Sequence, residues 1–309
     1  MLRKRWREIR AIHREYNFFY WLLRVAAIVL VALWIGALRY HGREDRGYEM
    51  NLFTEALGIG ITVLIFDQVR IYRDRESRKQ RLLREVSHGT NDVAIRAVIE
   101  LEHEGWLKGE NGLLKGKNLD DVNLAGAQMK NANLEGASLR DADLRDANLY
   151  GASLKDATLY HADMSGANLE NADLRADMAH AKLRDASLIG ADLTSANLSR
   201  VDMTQAELMD ANLQKSLLDH TILHGAFMMG ANLSQAHLYV PDFRGAYMGG
   251  VQMTGDEVNS YATEKLLLPD GTTWNHTTDW GRFTDVFHEE FQETRQDIDD
   301  QRAELGFES

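Results

Sequence analysis

Residues 123–157 read NLAGA, QMKNA, NLEGA, SLRDA, DLRDA, NLYGA and SLKDA in unbroken succession. Every fifth residue is Leu or Met, the residue before it is usually Asn, Asp or Ser, and Ala closes each unit. Internal periodicity of this kind decides a fold before any local propensity does. Five is the wrong period for both regular structures. On an α-helix, successive Leu positions would advance by roughly 140° net and wander around every side. In a flat strand an odd period would flip each Leu to the opposite face. The pentad must itself be the unit, a short extended piece followed by a bend. Leu and Ala then fill a narrow interior, and Gly, Asp or Asn in the last variable slot suits the bend.

Outward from this stretch, the Leu slot runs by fives from Leu119 to Leu174, resumes at Met178 and Leu183, and continues by fives to Met253, giving 28 pentads. The step from Leu174 to Met178 is one residue short, after Arg175. A tolerated deletion at a corner is the reading adopted, with a functional kink as the alternative. About 135 of the 309 residues obey the motif A-[DN]-L-x-x. This stretch resembles the pentapeptide-repeat family. The resemblance implies a mainly β fold, a right-handed quadrilateral β-helix with four pentads to a coil, hence about seven coils. With coils spaced like neighbouring strands, the rod would be roughly 30 Å long.

The remainder of the chain divides by charge. Lys+Arg against Asp+Glu is 19 to 15 over residues 1–110, 12 to 18 over 111–253, and 4 to 14 over 254–309, out of 35 and 47 in all. There are no cysteines, which excludes disulfides and thiolate metal sites, and two prolines, which excludes Pro-rich linkers. Phe18 to Leu38 is apolar apart from Arg24, long enough to cross a ~30 Å hydrocarbon core, and too long for a signal-peptide h-region. Leu52 to Val69 is a second apolar run, containing Glu55 and Asp67, and reads as the return crossing of a transmembrane hairpin. Arg3, Lys4, Arg5, Arg7, Arg10 and Arg14 precede the first run, and Arg70, Arg73, Arg75, Arg78, Lys79, Arg81 and Arg84 follow the second. The loop between them balances Arg39, Arg43 and Arg46 against Glu44, Asp45 and Glu49. That asymmetry predicts a multi-pass inner-membrane protein with both termini and the repeats in the cytoplasm, and Arg24 beside Asp67 in the span.

These observations predict a basic terminus over 1–17, the two-helix transmembrane hairpin over 18–69, a helical connector and solenoid cap over 70–107, the repeats over 114–255, and an acidic cap over 256–309. In the connector, His88-Gly89 breaks the helix, Thr90 or Asn91 caps the next one, and Val93, Ala94, Ala97, Val98 and Leu101 form its apolar face up to Gly105. Arg70 to Glu85 shows no apolar stripe wide enough for a core. In the tail, Pro269-Asp270-Gly271 marks a turn. Residues 283–305 then read as an amphipathic helix carrying Phe283, Val286, Phe287, Phe291, Ile298 and Leu305, which folds back on the solenoid.

Four pentads to a coil stack residues 20 apart, or 19 apart across the deletion. One outward column then reads Asp121, Asp141, His161, His180, Arg200, His220, Val240; Arg200 interrupts the histidines, and the column is taken as a solvated ladder without a metal. In the later coils the outward slots turn apolar. Ile189, Met209 and Met229 share a column, Phe227 and Tyr247 lie beside them, and Leu217 and Ile222 lie around the corner, forming a candidate interaction patch. No nucleophile motif, phosphate loop or metal motif occurs, so neither catalysis nor a cofactor is expected. The functional expectation is a bacterial membrane-anchored scaffold that contacts membrane lipid and docks an unidentified protein partner. The alternatives are a homo-oligomeric pore using Arg24, Glu55 and Asp67, and a DNA mimic acting on an enzyme such as gyrase, an activity the resemblance suggests. Outward Arg140, Arg145, Lys155, Arg175 and Arg184 interrupt the acidic field, so nucleic-acid-related partners are not expected.

Overall fold

The computed structural model describes residues 47–253, 267–272, 279, 281–284 and 291–307. The chain divides into two compact units, residues 1–78 and 79–309. Four helices are described: α1 (Gly47–His88), α2 (Asn91–His103), α3 (Gly281–Thr284) and α4 (Phe291–Glu304).

Between α2 and α3 each pentad contributes one residue to a ladder of parallel bridges. Asn118 pairs with Ser138, Ser138 with Thr158, and Asn123 with Asp143, a register of 20 residues. Each rung is laced from both sides: the Leu124 N–H donates to the Asp143 carbonyl at 2.7 Å, and the Asp143 N–H to the Val122 carbonyl at 2.9 Å. The bend closes within the pentad, where the Ala127 N–H donates to the Leu124 carbonyl at 3.0 Å. The residue before that Ala takes positive φ throughout, for example Asp121 (59°), Asn131 (56°) and Asp146 (56°), as the third position of a type II turn requires. Asp and Asn recur there because their short polar side chains tolerate the left-handed region. The slot before Leu also has its physical reason. Its side-chain oxygen accepts the N–H two residues on, as Asn133 Oδ1 does from Glu135 at 3.0 Å and Asp163 Oδ1 from Ser165 at 3.1 Å. Leu and Ala of each pentad are buried, from Leu119 to Met248, in one continuous core.

Across the short pentad the register drops to 19: Thr158 pairs with Asp177 and Asp163 with Lys182. The type II turn is replaced there by a tighter one, in which the Ala176 N–H donates to the Leu174 carbonyl at 2.7 Å. That two-residue step is the hydrogen bond of a γ-turn, and Arg175 at its centre keeps negative φ, the favourable inverse form. The missing residue is absorbed inside one corner, and the ladder continues on both sides of it.

Both ends of the ladder are covered. At the first coil Ala94, Ala97, Val98 and Leu101 of α2 are buried in the same core, and Asn91 Nδ2 donates to Asn123 Oδ1 at 2.7 Å and to the Ala125 carbonyl at 3.1 Å. Helix α2 ends in a Schellman motif. The Trp106 N–H donates to Leu101 O at 2.8 Å and the Gly105 N–H to Glu102 O at 2.9 Å, with Gly105 at φ 72°. The last turns of α1 join this core through Leu82 and Val86, both fully buried. Between Arg70 and Glu85 only Leu82 is buried, and with Val86 just beyond it two residues four apart are enough for a helix end that packs only along its tip.

At the other end Leu267 pairs with Asp242, the Phe243 N–H donates to Leu267 O at 2.9 Å, and the Gly245 N–H to Pro269 O at 2.7 Å. Phe243 fills a Leu slot, and Leu268 and Phe283 are buried with it. Residues 267–269 thus add a rung that the pentad series, which stops at Met253, does not contain. An occupied edge of this kind is closed to pairing with another chain along that wall.

The expected membrane placement is corrected. No helix among the described residues is long and apolar enough to cross a membrane. The second apolar run lies in α1, where Glu55 and Asp67 bracket it. Between them only eleven residues are free of charge, about 16 Å of helix, roughly half of a hydrocarbon core. Glu55 and Asp67 are exposed. The first run, 18–38, and with it Arg24 and its expected pairing to Asp67, lies outside the described residues. The multi-pass inner-membrane location with cytoplasmic termini rested on that return crossing and falls with it.

Candidate interaction surface

Two outward slots flank each Leu, and a third lies at the corner, so each wall of the solenoid presents columns of side chains. On the wall centred on Leu188, Leu208 and Met228, the slot before Leu reads Ser187, Glu207, Phe227 and Tyr247, joined in bridges 20 residues apart. The slot after it reads Ile189, Met209, Met229 and Gly249. Polar residues therefore give way to aromatic and apolar ones on one wall in the final coils.

Helix α4 meets this wall at its edge. The Phe227 and Tyr247 ring centres are 5.5 Å apart, and the Arg302 guanidinium lies 4.7 Å from the first and 4.6 Å from the second. Arg302 is 2% exposed. Its Nη1 donates to the carbonyls of Gly225 at 2.8 Å and Gly245 at 3.1 Å, and the Phe307 ring stands 5.7 Å away. Gly225 and Gly245 occupy successive corners at φ 64° and 67°. A methyl group at Gly225 would lie 2.6 Å from Phe307, and one at Gly245 would lie 3.1 Å from Arg302 Cγ. The bare backbone at these two corners is what lets the tail approach. The Tyr247 hydroxyl donates to Asp299, and Tyr247 is pushed up by burial and then by that carboxylate. Ile298 and Thr294 of α4 are buried, and α4 packs against α3.

The seven residues of the expected patch do not form one surface. Ile189, Met209, Phe227, Met229 and Tyr247 share a wall. Ile222 belongs to the preceding wall, bridging Asp202 and Asp242. Leu217, 42% exposed, lies half a coil from Phe227, on the opposite wall between Asn197 and His237. The tail covers Phe227 and Tyr247, while Met229 remains 44% exposed and Met209 and Ile189 half-buried. Within the expected helix 283–305, α3 and α4 are described, and residues 285–290, including Val286 and Phe287, lie outside the described residues. Sequence reasoning missed Arg302, Asp299, Phe307 and the glycine pair. One signal was present: the corner column that carries Asp185 and Gln205 turns to Gly225 and Gly245.

A second polar cluster lies on the preceding wall. His224 Nε2 is 2.5 Å from Asp242 Oδ2, and Arg244 donates to Asp242 through Nε (3.0 Å to Oδ1) and Nη2 (2.8 Å to Oδ2). Burial pushes the Asp242 carboxyl up, but the hydrogen bonds from His224 and Arg244 outweigh it and hold it at about 2. In the histidine column His161 and His180 stack with ring centres 4.9 Å apart, and the Tyr160 edge meets both. No group of His, Asp or Glu among the described residues is arranged to hold a metal ion. Along the rod, Arg145 pairs with Asp143, Arg175 with Asp173, and Arg184 with Asp202.

A regular ladder of pentad bridges, capped at both ends, defines a repeat solenoid of the right-handed β-helix class. The family model of pentapeptide repeats, with eight copies, matches residues 110–141, 118–156, 137–175, 175–210 and 206–239. Over residues 110–239 the chain thus carries pentapeptide repeats. No match was found among curated proteins. Among solved structures, the chain is similar to HetL, a pentapeptide repeat protein involved in heterocyst differentiation regulation from the cyanobacterium Nostoc sp. strain PCC 7120. The identity is 26%, over 52% of this chain and 88% of that one, with a TM-score of 0.29. It is also similar to a trypsin-treated form of QnrB1, a plasmid-mediated fluoroquinolone resistance protein, at 20% identity, over 59% and 89% of the two chains, TM-score 0.30. A pentapeptide repeat protein from the Arabidopsis thaliana thylakoid lumen matches at 28% identity, over 42% and 76%, TM-score 0.19.

Proposed function

We propose that this protein is a non-catalytic scaffold whose pentapeptide-repeat rod, over 114–255 with its cap over 256–309, docks a protein partner on its last coils. The observation that carries this reading is the column Ile189, Met209 and Met229. It replaces the Lys130, Tyr150 and Glu170 of the earlier coils in the same slot, and its final member stays exposed although the chain's own tail packs beside it. A soluble surface has no use for stacked apolar side chains unless something covers them. A nucleic-acid mimic would need an uninterrupted acidic field, and the Arg145, Arg175 and Arg184 pairs neutralise it. The carboxylates of the repeats sit where the pentad puts them, which accounts for them without chemistry. The test is Met209→Asp in the full chain. A partner that co-purifies with the wild type should be lost, with thermal unfolding unchanged. Recovery of the same partner at the same yield refutes the docking wall.

A further inference from the structure

The docking wall ends in a seat for a guanidinium, and the chain's own tail now occupies it. Three features meet only in the last two coils. Two aromatic rings, Phe227 and Tyr247, stand where earlier coils carry Gln128, Asn148, Asn168, Ser187 and Glu207. Two successive corner glycines expose the Gly225 and Gly245 carbonyls, which both accept from Arg302 Nη1. The guanidinium carbon then lies 4.7 and 4.6 Å from the ring centres, within the range where a cation is attracted to a π face.

The tail uses this seat incompletely. Arg302 Nε is buried and donates to nothing among the described residues. A buried cation with an unmet donor is held below its full strength. Met229 is exposed on the same wall, with Met209 and Ile189 continuing the column beyond the tail. A segment that filled the seat and also covered that column would bury more than α4 does.

We propose that the last two coils are a receptor for an arginine-anchored apolar segment of a partner protein, with Arg302 of α4 as the resident competitor that the partner displaces. This rests on the docking reading above and assigns the chemistry of what docks. The arginine is specific. Both carbonyls accept from the one nitrogen Nη1, so the distinction lies in the rest of the group: a guanidinium spreads its charge and is weakly hydrated beside two rings, whereas a lysine ammonium is a compact, strongly hydrated point charge.

The test uses the full chain and, as probe, a fluorescent peptide spanning residues 291–309. The Arg302→Ala chain vacates the seat and should bind this peptide at least about tenfold more tightly than the wild-type chain, whose tail competes at an effective concentration near millimolar. A peptide carrying Arg302→Lys should lose roughly fivefold or more. Equal binding to both chains, no binding to the Arg302→Ala chain up to millimolar peptide, or an undiminished lysine peptide overturns the seat. If Arg302→Ala does not fold, Asp299→Ala loosens the tail through the Tyr247 hydroxyl and leaves the seat intact. A second copy's tail is the rival occupant. A stable heterodimer of the wild-type and Arg302→Ala chains assigns the seat to tail exchange and overturns the foreign partner. Met209 takes no part in the seat, so peptide binding that survives while the Met209→Asp test fails removes the docking wall and leaves the seat. The reverse result removes the seat alone.

Discussion

Gly136 and Gly225 both sit at a corner with φ 64°, yet their surroundings differ in one respect. A Cβ at Gly136 meets nothing within 4 Å, whereas one at Gly225 meets the Phe307 ring at 2.6 Å and Arg302 Nη1 at 3.3 Å. Gly→Ala at either position forces an L-residue into the left-handed region, at about 1–2 kcal/mol, and regains about 0.4–1 kcal/mol by narrowing the unfolded ensemble. The net loss at Gly136 should be about 1 kcal/mol. At Gly225 the ring must also retreat by about 1 Å to reach ordinary carbon contact, and a ring near the chain end retreats by leaving. Its departure removes a partly buried aromatic, about 1 kcal/mol, and its share of the Arg302 contact, about 0.5–1 kcal/mol. Gly225→Ala should thus cost about 3 kcal/mol, and the extra 2 should come from the tail and not from the coils. Hydrogen exchange over residues 291–307 and thermal unfolding by circular dichroism separate the two. Gly136→Ala should leave tail protection intact, Gly225→Ala should erase it, and in the Phe307→Ala background the two substitutions should cost the same. Equal losses in the wild-type background, with the tail still protected, would refute the close approach of the tail to the corner backbone.

Leu208, fully buried mid-wall between the Leu188 and Met228 rungs, should lose about 2–5 kcal/mol on replacement by Ala, measured by chemical denaturation. A loss under 1 kcal/mol would mean the coils collapse around the gap. Asp242 should make stability pH-dependent in acid. Its carboxyl is depressed from 3.8 to about 2 in the fold, so its contribution, about 2 kcal/mol, is fully present above pH 4 and is lost as pH falls through about 2; Asp242→Asn should flatten that step in an acid titration of unfolding. Inserting Gly after Arg175 should restore a five-residue step and change the unfolding free energy by less than about 1 kcal/mol, because a regular type II turn then replaces the γ-turn. A chain that fails to fold after the insertion would show that the short corner sets the register of the later coils. Arg175→Ala should cost only about 0.5 kcal/mol in the same assay, since its pairs with Asp173 and Asp192 are 40% exposed on the arginine side.

The repeat was legible because its signal is local and periodic. A five-residue spacing placed the inward Leu and Ala and the short step after Arg175, while the stacking of residues 20 apart into columns came with the four-pentad coil that the resemblance implied. The apolar face of α2 and its stop at Gly105 were legible for the same reason: period and capping are short-range properties. The apolar run in α1 was overread, because hydropathy averaged along the chain discounts Glu55 and Asp67, and charge at those two points limits what the helix can cross.

The tail was legible as an amphipathic helix that returns to the apolar slots of the last coils, but not as to which of them it covers: Phe227 lies under it, while Met229 stays exposed. Where it lies is decided by contacts between Arg302 and corners 57 and 77 residues earlier, and no pattern within the tail encodes them. The turn at Arg175 is likewise a tertiary outcome: the sequence shows one residue missing, but the ladder on either side requires the chain to close in two residues. What the sequence by itself determined is the pentad and its interior, since side-chain period follows from the bond geometry of a few consecutive residues. What only the tertiary structure decided is which column is covered, because burying Arg302 needs two rings and two bare carbonyls brought together from separate coils.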